Sequence, residues 1–428
     1  MFEFSCKPYL AMKLKTSFVV ILLTIISVFV QSQTLWIPWP PVSDSTDLVD
    51  TRSKLVNFQL KKNYYFNSIG VGIGNKFDGA RLNQVSIVND STLSVLISPE
   101  NYPVNMSPWY AFKLWAEKEK NLYIQLHYEH GRHRYPPKLS HDGKSWKLIN
   151  TKDLLSAPKD TTAFFRVKIS KDTSWVSAQE LMTSVSMENW ASKLAEKPYI
   201  NKMVIGHSVQ ERPLTALTIS ESKGKNLLLV LSRQHPPEIT GYKEMIAFVE
   251  TLAGNSRKAK KFRKHFEIIV APMMNPDGVD NGHWRHNIGG IDLNRDWRFF
   301  NQPETSALRT FILGVINEQN AKIRFAVDFH STQKDLFYLF DKNNLPGKTG
   351  IAMEWMNAIN NKFPDQPFVA ESTGFTAQIS KNWFFNELRA ESITYEVGDN
   401  TDREVIKKRG ETAAYELMSI MLKMRKKY

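Results

Sequence analysis

Two kinds of apolar pattern divide the chain. From Gln33 to about Ser170 apolar and polar residues alternate in short runs, as in Ser91–Ser98, Asn121–Tyr128 and Thr162–Ser170, with turn residues such as His141-Asp-Gly143 between them. Alternation with a period of two places every second side chain on one face of a strand, so residues 33–175 are expected to form a small all-β sandwich. Val71-Gly-Ile-Gly74 has no helical pattern after it and reads as a turn, not a phosphate loop. His127, His130 and His133 have a spacing that suits one helix face, but the surrounding pattern predicts a strand. There His127 and His130 face opposite sides, which argues against a structural metal.

A helical stretch near Ser177–Glu196 joins this region to a second one, in which the period changes. Continuous apolar runs (Lys202–Ile205, Leu214–Ile219, Asn226–Leu231, Phe266–Pro272, Ile323–Phe329 and Ser392–Val397) alternate with helix-like stretches at Ile239–Leu252, Glu304–Asn317 and Thr349–Lys362. Strands that are apolar at every position are covered on both faces. Residues 176–428 are therefore expected to form an α/β domain, a mixed, mostly parallel sheet flanked by helices.

The N-terminus adds a third pattern. Met12-Lys-Leu-Lys-Thr-Ser17 leads into an apolar or hydroxyl-bearing run, Phe18–Val30, and then Gln31-Ser32. A short basic region, an apolar core and small residues before a cut describe a secretory signal over residues 1–32, with Met12 as the true start. The run is too short for a stable membrane anchor, although an uncleaved anchor is the alternative. Cleavage removes Cys6, the single cysteine, so the mature chain cannot form disulfides. That favours export into a bacterial envelope, periplasmic or secreted, over a eukaryotic secretory route.

The formal charge is +13, and removing residues 1–32 with Lys7, Lys13, Lys15 and Glu3 leaves +11. Much of the excess lies in Arg257–Lys264 and Lys423–Tyr428, which are either contacts for an anionic partner or a solvated helix face and a frayed end. No nucleic-acid motif accompanies them.

The chemistry gathers in the second half. His235 and Glu238 follow an apolar run, and His330 ends another, so the three fall where strands end. Imidazole and carboxylate are zinc donors, and a catalytic zinc takes three protein ligands and leaves one position open. Alone, H-x-x-E is a weak pattern. Further along come Asn275-Pro-Asp-Gly278, Arg285, the run Asp292-Leu-Asn-Arg295, and Glu396 within an apolar strand beside Tyr395 and Val397. Burial raises the pKa of such a carboxylate toward that of a general base, and arginines can stabilise an oxyanion or fork onto a carboxylate.

In this order the motifs resemble the zinc metallocarboxypeptidases of the carboxypeptidase A type over roughly Ser186–Tyr428. The branch most similar is the cytosolic-carboxypeptidase-like one, which carries a β-sandwich before its catalytic domain; Arg134-Tyr-Pro-Pro137 and His141–Trp146 are similar to that domain. The resemblance implies the zinc carboxypeptidase fold and one Zn²⁺ held by His235, Glu238 and His330. It further implies Glu396 as general base and then acid, Arg285 at the oxyanion, and Asn294 and Arg295 on the substrate's terminal carboxylate. Asp292 would fix the tautomer of His235.

Members of the family commonly carry a tyrosine on a mobile loop before the catalytic Glu, but Glu371–Ser380 has none, leaving Phe375 as a packing residue. Counting back from Glu396 along the family's spacing lands on Lys381, which at the pocket floor would favour an acidic terminal residue. A slip would move that position to Ser380, Asn382 or Trp383, and a solvated lysine is the alternative. The expected substrates are peptides, or peptidoglycan stem peptides given export and basic charge. A catalytically dead binding protein is the competing reading, though no implied ligand or base is missing.

Overall fold

The computed structural model describes residues 51, 54–155, 161–222, 225–340 and 350–425. The expected leader, with Met12 and Cys6, lies outside them. The described residues on both sides of 175/176 belong to one compact unit. The all-β region runs on to Ser177, because strand Ser174–Ser177 pairs with Ala111–Ala116 and Lys138–Ser140. The core of that region also takes in Ile239 and Trp284 from the second half.

The β region consists of two sheets. Gln84–Asn89, Thr92–Ile97, Lys120–Tyr128 and Thr162–Ile169 make the four-stranded one; Asn63–Phe66, Val71–Gly74, Ala111–Ala116, Ser174–Ser177, Lys138–Ser140 and Lys147–Leu148 make the six-stranded one. Alternation does what it predicts in Lys120–Tyr128, where Leu122, Ile124 and Leu126 are fully buried against Ala163, Phe165 and Val167 of the neighbouring strand. Each such side chain contributes about 1.5–3 kcal/mol on leaving water.

Val71–Gly74 is a strand, not a turn. Gly72 has no side chain because the Trp115 ring lies across it, where a Cβ would come 2.0 Å from Cε2. The three histidines do not assemble: His127 is in a strand, His130 turns at a φ of 58°, and His133 Nδ1 lies 2.7 Å from the Tyr128 hydroxyl.

The second region is built on an eight-stranded mixed sheet in the order Ile200–His207, Pro213–Ile219, Glu267–Ala271, Asn226–Ser232, Lys322–Thr332, Glu391–Gly398, Leu336–Phe340, Val369–Thr373. Asn226–Ser232, Lys322–Thr332 and Glu391–Gly398 are adjacent and parallel, so their C-terminal ends share one edge. Helix Ile239–Leu252 occupies its expected span, and Pro303–Gln319 and Ile351–Asn360 come within two residues of theirs. The joining helix is shorter than expected, Ser184–Leu194, capped by the Thr183 side chain.

Arg257–Arg263 is a short helix with Arg257, Lys260 and Lys261 exposed, while Arg263 turns inward to Glu221 at 2.9 Å. Helix Arg403–Met424, unexpected from the sequence, packs against Ile239–Leu252. Its buried Arg409 pairs with Glu244, which also accepts from the hydroxyl of Tyr395, next to Glu396.

Candidate active site

Glu238 is the N-cap of helix Ile239–Leu252, which begins just beyond strand Asn226–Ser232. His330 lies in the next strand and Glu396 opposite it in the strand after that, in direct register. The helix can sit this close because Gly241 presents only hydrogen to the His330 carbonyl, which a Cβ would approach to 2.0 Å. Its N–H also donates to Ser331 Oγ at 2.8 Å.

Ligand atoms of His235, Glu238 and His330 lie within 4.8 Å of one another, and all three residues are buried. The two Nδ1 atoms each stand 2.8 Å from a different oxygen of Glu238. Their far nitrogens are engaged behind: His235 Nε2 is 2.9 Å from Asp292 Oδ1, and His330 Nε2 is 3.0 Å from Asp328 Oδ2. Nitrogen and oxygen donors facing a common point, with carboxylates orienting both rings, are what zinc requires. Burial lowers the His330 pKa, but Asp328 and Glu238 outweigh it and push the ring well above its ordinary value. A bound cation would take that proton's place.

Asp292 is the hinge of the constellation. One oxygen meets His235 and accepts from the Asn294 N–H, and the other accepts from Arg285 Nε at 2.7 Å. Burial alone would raise its pKa; Arg285 and His235 outweigh that and hold the carboxyl well below its usual range. Asn294 Oδ1 in turn accepts from the Ser380 N–H at 2.9 Å, and Arg295 donates to the Asn294 carbonyl. Glu396 has an oxygen, Oε2, with no hydrogen-bond partner among the described residues. Burial, reinforced by Glu238 and Asp328 against His330 and Arg285, raises its pKa to about 8.

His235, Glu238, His330, Arg285, Asn294, Arg295 and Glu396 all line one cavity of about 600 Å³. Lys381 does not. Although helix Ser380–Asn386 begins just behind the lining residue Ile379, Lys381 is fully buried with Nζ 3.2 Å from the centre of the Phe340 ring and without a hydrogen bond to the described residues. A cation–π contact of about 2 kcal/mol cannot offset the several kcal/mol of burying a charge, and burial lowers the lysine's pKa well below its usual value. Lys381 is thus neither a pocket wall nor a solvated lysine. Phe375 stacks on Phe340 at 4.9 Å, a packing residue as expected.

Several cavity or ligand-orienting residues were not read from the sequence, among them Asp328, Tyr338 and Arg134. Asp328 had a visible signal, a charge in an apolar strand two residues before His330 and hence on the same face. Tyr338, opposite Thr394 on the neighbouring strand, had none, and Arg134 stood out only as the first residue of Arg134-Tyr-Pro-Pro137, with no site role attached. Arg134 reaches the cavity from the β region, held by Asp399 at 2.8 Å and Ser107 at 2.6 Å.

The zinc carboxypeptidase family model matches residues 187–415, over half of the chain. Cytosolic carboxypeptidase 6 of Caenorhabditis elegans is 24% identical over 294 residues, 63% of this chain and 64% of the relative. Its Mus musculus counterpart is 28% identical over 160 residues, 35% of this chain and 30% of the relative. The chain thus spans less than two thirds of the length of these relatives. Among solved structures, a metallo-carboxypeptidase from Burkholderia cenocepacia superposes with a TM-score of 0.68 at 18% identity, covering 84% of this chain and 100% of that one. A metallo-carboxypeptidase from Pseudomonas aeruginosa, in complex with (2-guanidinoethylmercapto)succinic acid, gives 0.67 at 15% identity, covering 83% and 99%. At these identities the likeness is one of fold, and it extends beyond the sheet into the β region. A family match spanning His235, Glu238, His330 and Glu396, on a donor set suited to zinc, makes this chain a member of the zinc carboxypeptidase family.

Proposed function

We infer that the chain hydrolyses the C-terminal peptide bond of peptides, and that His235, Glu238 and His330 hold the zinc. The observation carrying this reading is that one cavity brings the three ligands together with Glu396 and three arginines, Arg134, Arg285 and Arg295. Zinc, when bound, supplies a Lewis acid that polarises the scissile carbonyl and lowers the pKa of a water. Glu396 takes a proton from the attacking water and passes it to the leaving amine. Arg285, aimed by Asp292, donates to the oxyanion as it forms. Asn294 and Arg295 hold the substrate's terminal carboxylate, with Arg295 more exposed at the cavity wall.

A terminal clamp demands a free terminus. Peptides amidated at the C-terminus are expected to be cleaved at least about a hundredfold more slowly than free ones, as loss of a charged, desolvated contact implies. Arg295→Ala should narrow that gap. Equal kcat/KM on free and amidated peptides by the intact protein would show an endopeptidase instead.

Preference for an acidic terminal residue is the finer part of the proposal, and burial of Lys381 changes its physics. A buried lysine with no counter-charge among the described residues would gain one from a Glu or Asp side chain entering past Ile379 and Thr394, provided Nζ turns off the Phe340 ring. Ranking kcat/KM on peptides that differ only in the last residue tests this, with Lys381→Met expected to erase a preference for Glu over Leu. An unchanged ranking removes Lys381 as the selector.

Export through residues 1–32 belongs to the same proposal, as do muropeptides as substrates. N-terminal sequencing of the protein from an envelope fraction checks the first, and a mature N-terminus upstream of Ser32 contradicts it. Release of amino acids from stem peptides checks the second.

A further inference from the structure

Outside the catalytic constellation, the β region sends one carboxylate into the loop that carries Arg285. Glu100 lies just beyond strand Thr92–Ile97 and is fully buried. Its Oε2 accepts from the backbone N–H of Trp284 at 2.7 Å, and its Oε1 from those of Arg285 at 2.9 Å and His286 at 2.6 Å. Three consecutive peptide units converge on one carboxylate. Rotating any of them withdraws a donor from a buried charge, so the backbone at Arg285 is fixed as firmly as a strand would fix it.

The neighbouring residue closes the other end of the same loop. Asn101 Oδ1 lies 2.6 Å from His286 Nδ1, and its Nδ2 donates to the Gly290 carbonyl at 3.0 Å, which Thr51 Oγ1 also meets at 2.5 Å. Gly290 has a φ of +76°, and a Cβ there would come 2.6 Å from Asn101 Nδ2, so the clamp and the glycine require each other. Burial would raise the Glu100 pKa, but His283, His286, Arg81 and the backbone donors outweigh it and hold the carboxyl at about 2. The grip therefore persists across the neutral range.

Arg285 is thus held twice, at Nε by Asp292 of its own region and at its backbone by Glu100 of the β region. We propose that Glu100 is a positioning residue for Arg285, and that the β region completes the catalytic geometry by this contact. The proposal rests on the oxyanion role given to Arg285. A guanidinium displaced by a fraction of an ångström still meets the ground-state substrate but misses the transition state, so the defect belongs in kcat.

The test uses the full zinc-loaded chain and four proteins: the parent, Glu100→Gln, Arg285→Ala and the double variant. The amide of Gln keeps the shape of Glu but turns a donor toward a donor. Glu100→Gln is expected to keep its zinc and its KM and to lose kcat on the order of ten- to a hundredfold, less than the ~10²–10³ of removing an oxyanion donor outright. In the Arg285→Ala background the same change should cost less than about threefold, because the arginine it positions is gone. If Glu100→Gln does not fold, Glu100→Asp, which keeps the charge but shortens its reach, is measured in the same cycle. Equal losses in both backgrounds would mean a general structural role and overturn the proposal, as would parent-like kcat in Glu100→Gln. Parent-like kcat in Arg285→Ala would instead overturn the role of Arg285 itself.

Discussion

Glu396→Gln is expected to bind zinc and peptides like the parent and to lose turnover by on the order of 10⁴-fold, because an amide cannot accept the proton that water must give up. The carboxylate sits on strand Glu391–Gly398, opposite His330, on a residue that lines the shared cavity, with Oε2 free of hydrogen bonds to the described residues. Its pKa, raised to about 8 by burial and by Glu238 and Asp328, fits a base that must also serve as an acid. The base form is the ionised one, so activity should rise with pH through the pKa of Glu396. A bound zinc cation favours the ionised form and moves that limb below 8. The pH profile of kcat checks this: the acidic limb should be present in the parent and missing from the residual activity of Glu396→Gln. Turnover within tenfold of the parent would remove Glu396 from the mechanism.

The second large effect is metal loss. Replacing His235 and His330 together with Ala should reduce bound zinc from about one per chain to none and abolish activity, since the remaining Glu238 offers a single ligand. Folding should survive, because the core of this half is apolar, built on Leu228, Val230, Phe248, Ile268, Phe325, Val327, Phe329 and Tyr395. Some thermal stability will go with the zinc, because a ligand that binds only the folded state stabilises it, and because Asp292 and Asp328 lose their imidazole partners. Circular dichroism and metal analysis on the same sample separate the two effects. An active, zinc-free double variant contradicts the assignment, and an unfolded one contradicts the claim that the sheet folds on its apolar strands.

The ligands were legible because each sits where an apolar strand stops, and a strand's end is visible in linear sequence. Glu396 was legible for the opposite reason, as a charge inside a strand of buried residues. What escaped was whatever depends on sequence-distant neighbours. Val71–Gly74 looked like a turn because no helical pattern follows it, yet it is a strand in which Gly72 is bare to admit Trp115 from the paired strand. Arg134 and Glu100 belong to the β region, and nothing within 33–175 signals that Arg134 meets Asp399 at the cavity or that Glu100 meets the Arg285 backbone, 185 residues on. Lys381 shows a different limit of linear sequence. Counting residues fixed its place at the start of a short helix, but not the direction of a long side chain that found the Phe340 ring instead of the cavity. The boundary drawn at 175/176 followed a real change of pattern, although the structure shares one apolar core across it through Ile239 and Trp284.

The most direct test of the account follows a free-ended peptide by mass spectrometry with the zinc-loaded protein, the chelated protein and Glu396→Gln in parallel. The account predicts a ladder that loses residues singly from the C-terminus in the first sample, with almost no product in the other two. Internal fragments, or an equal ladder from the chelated protein, would contradict it.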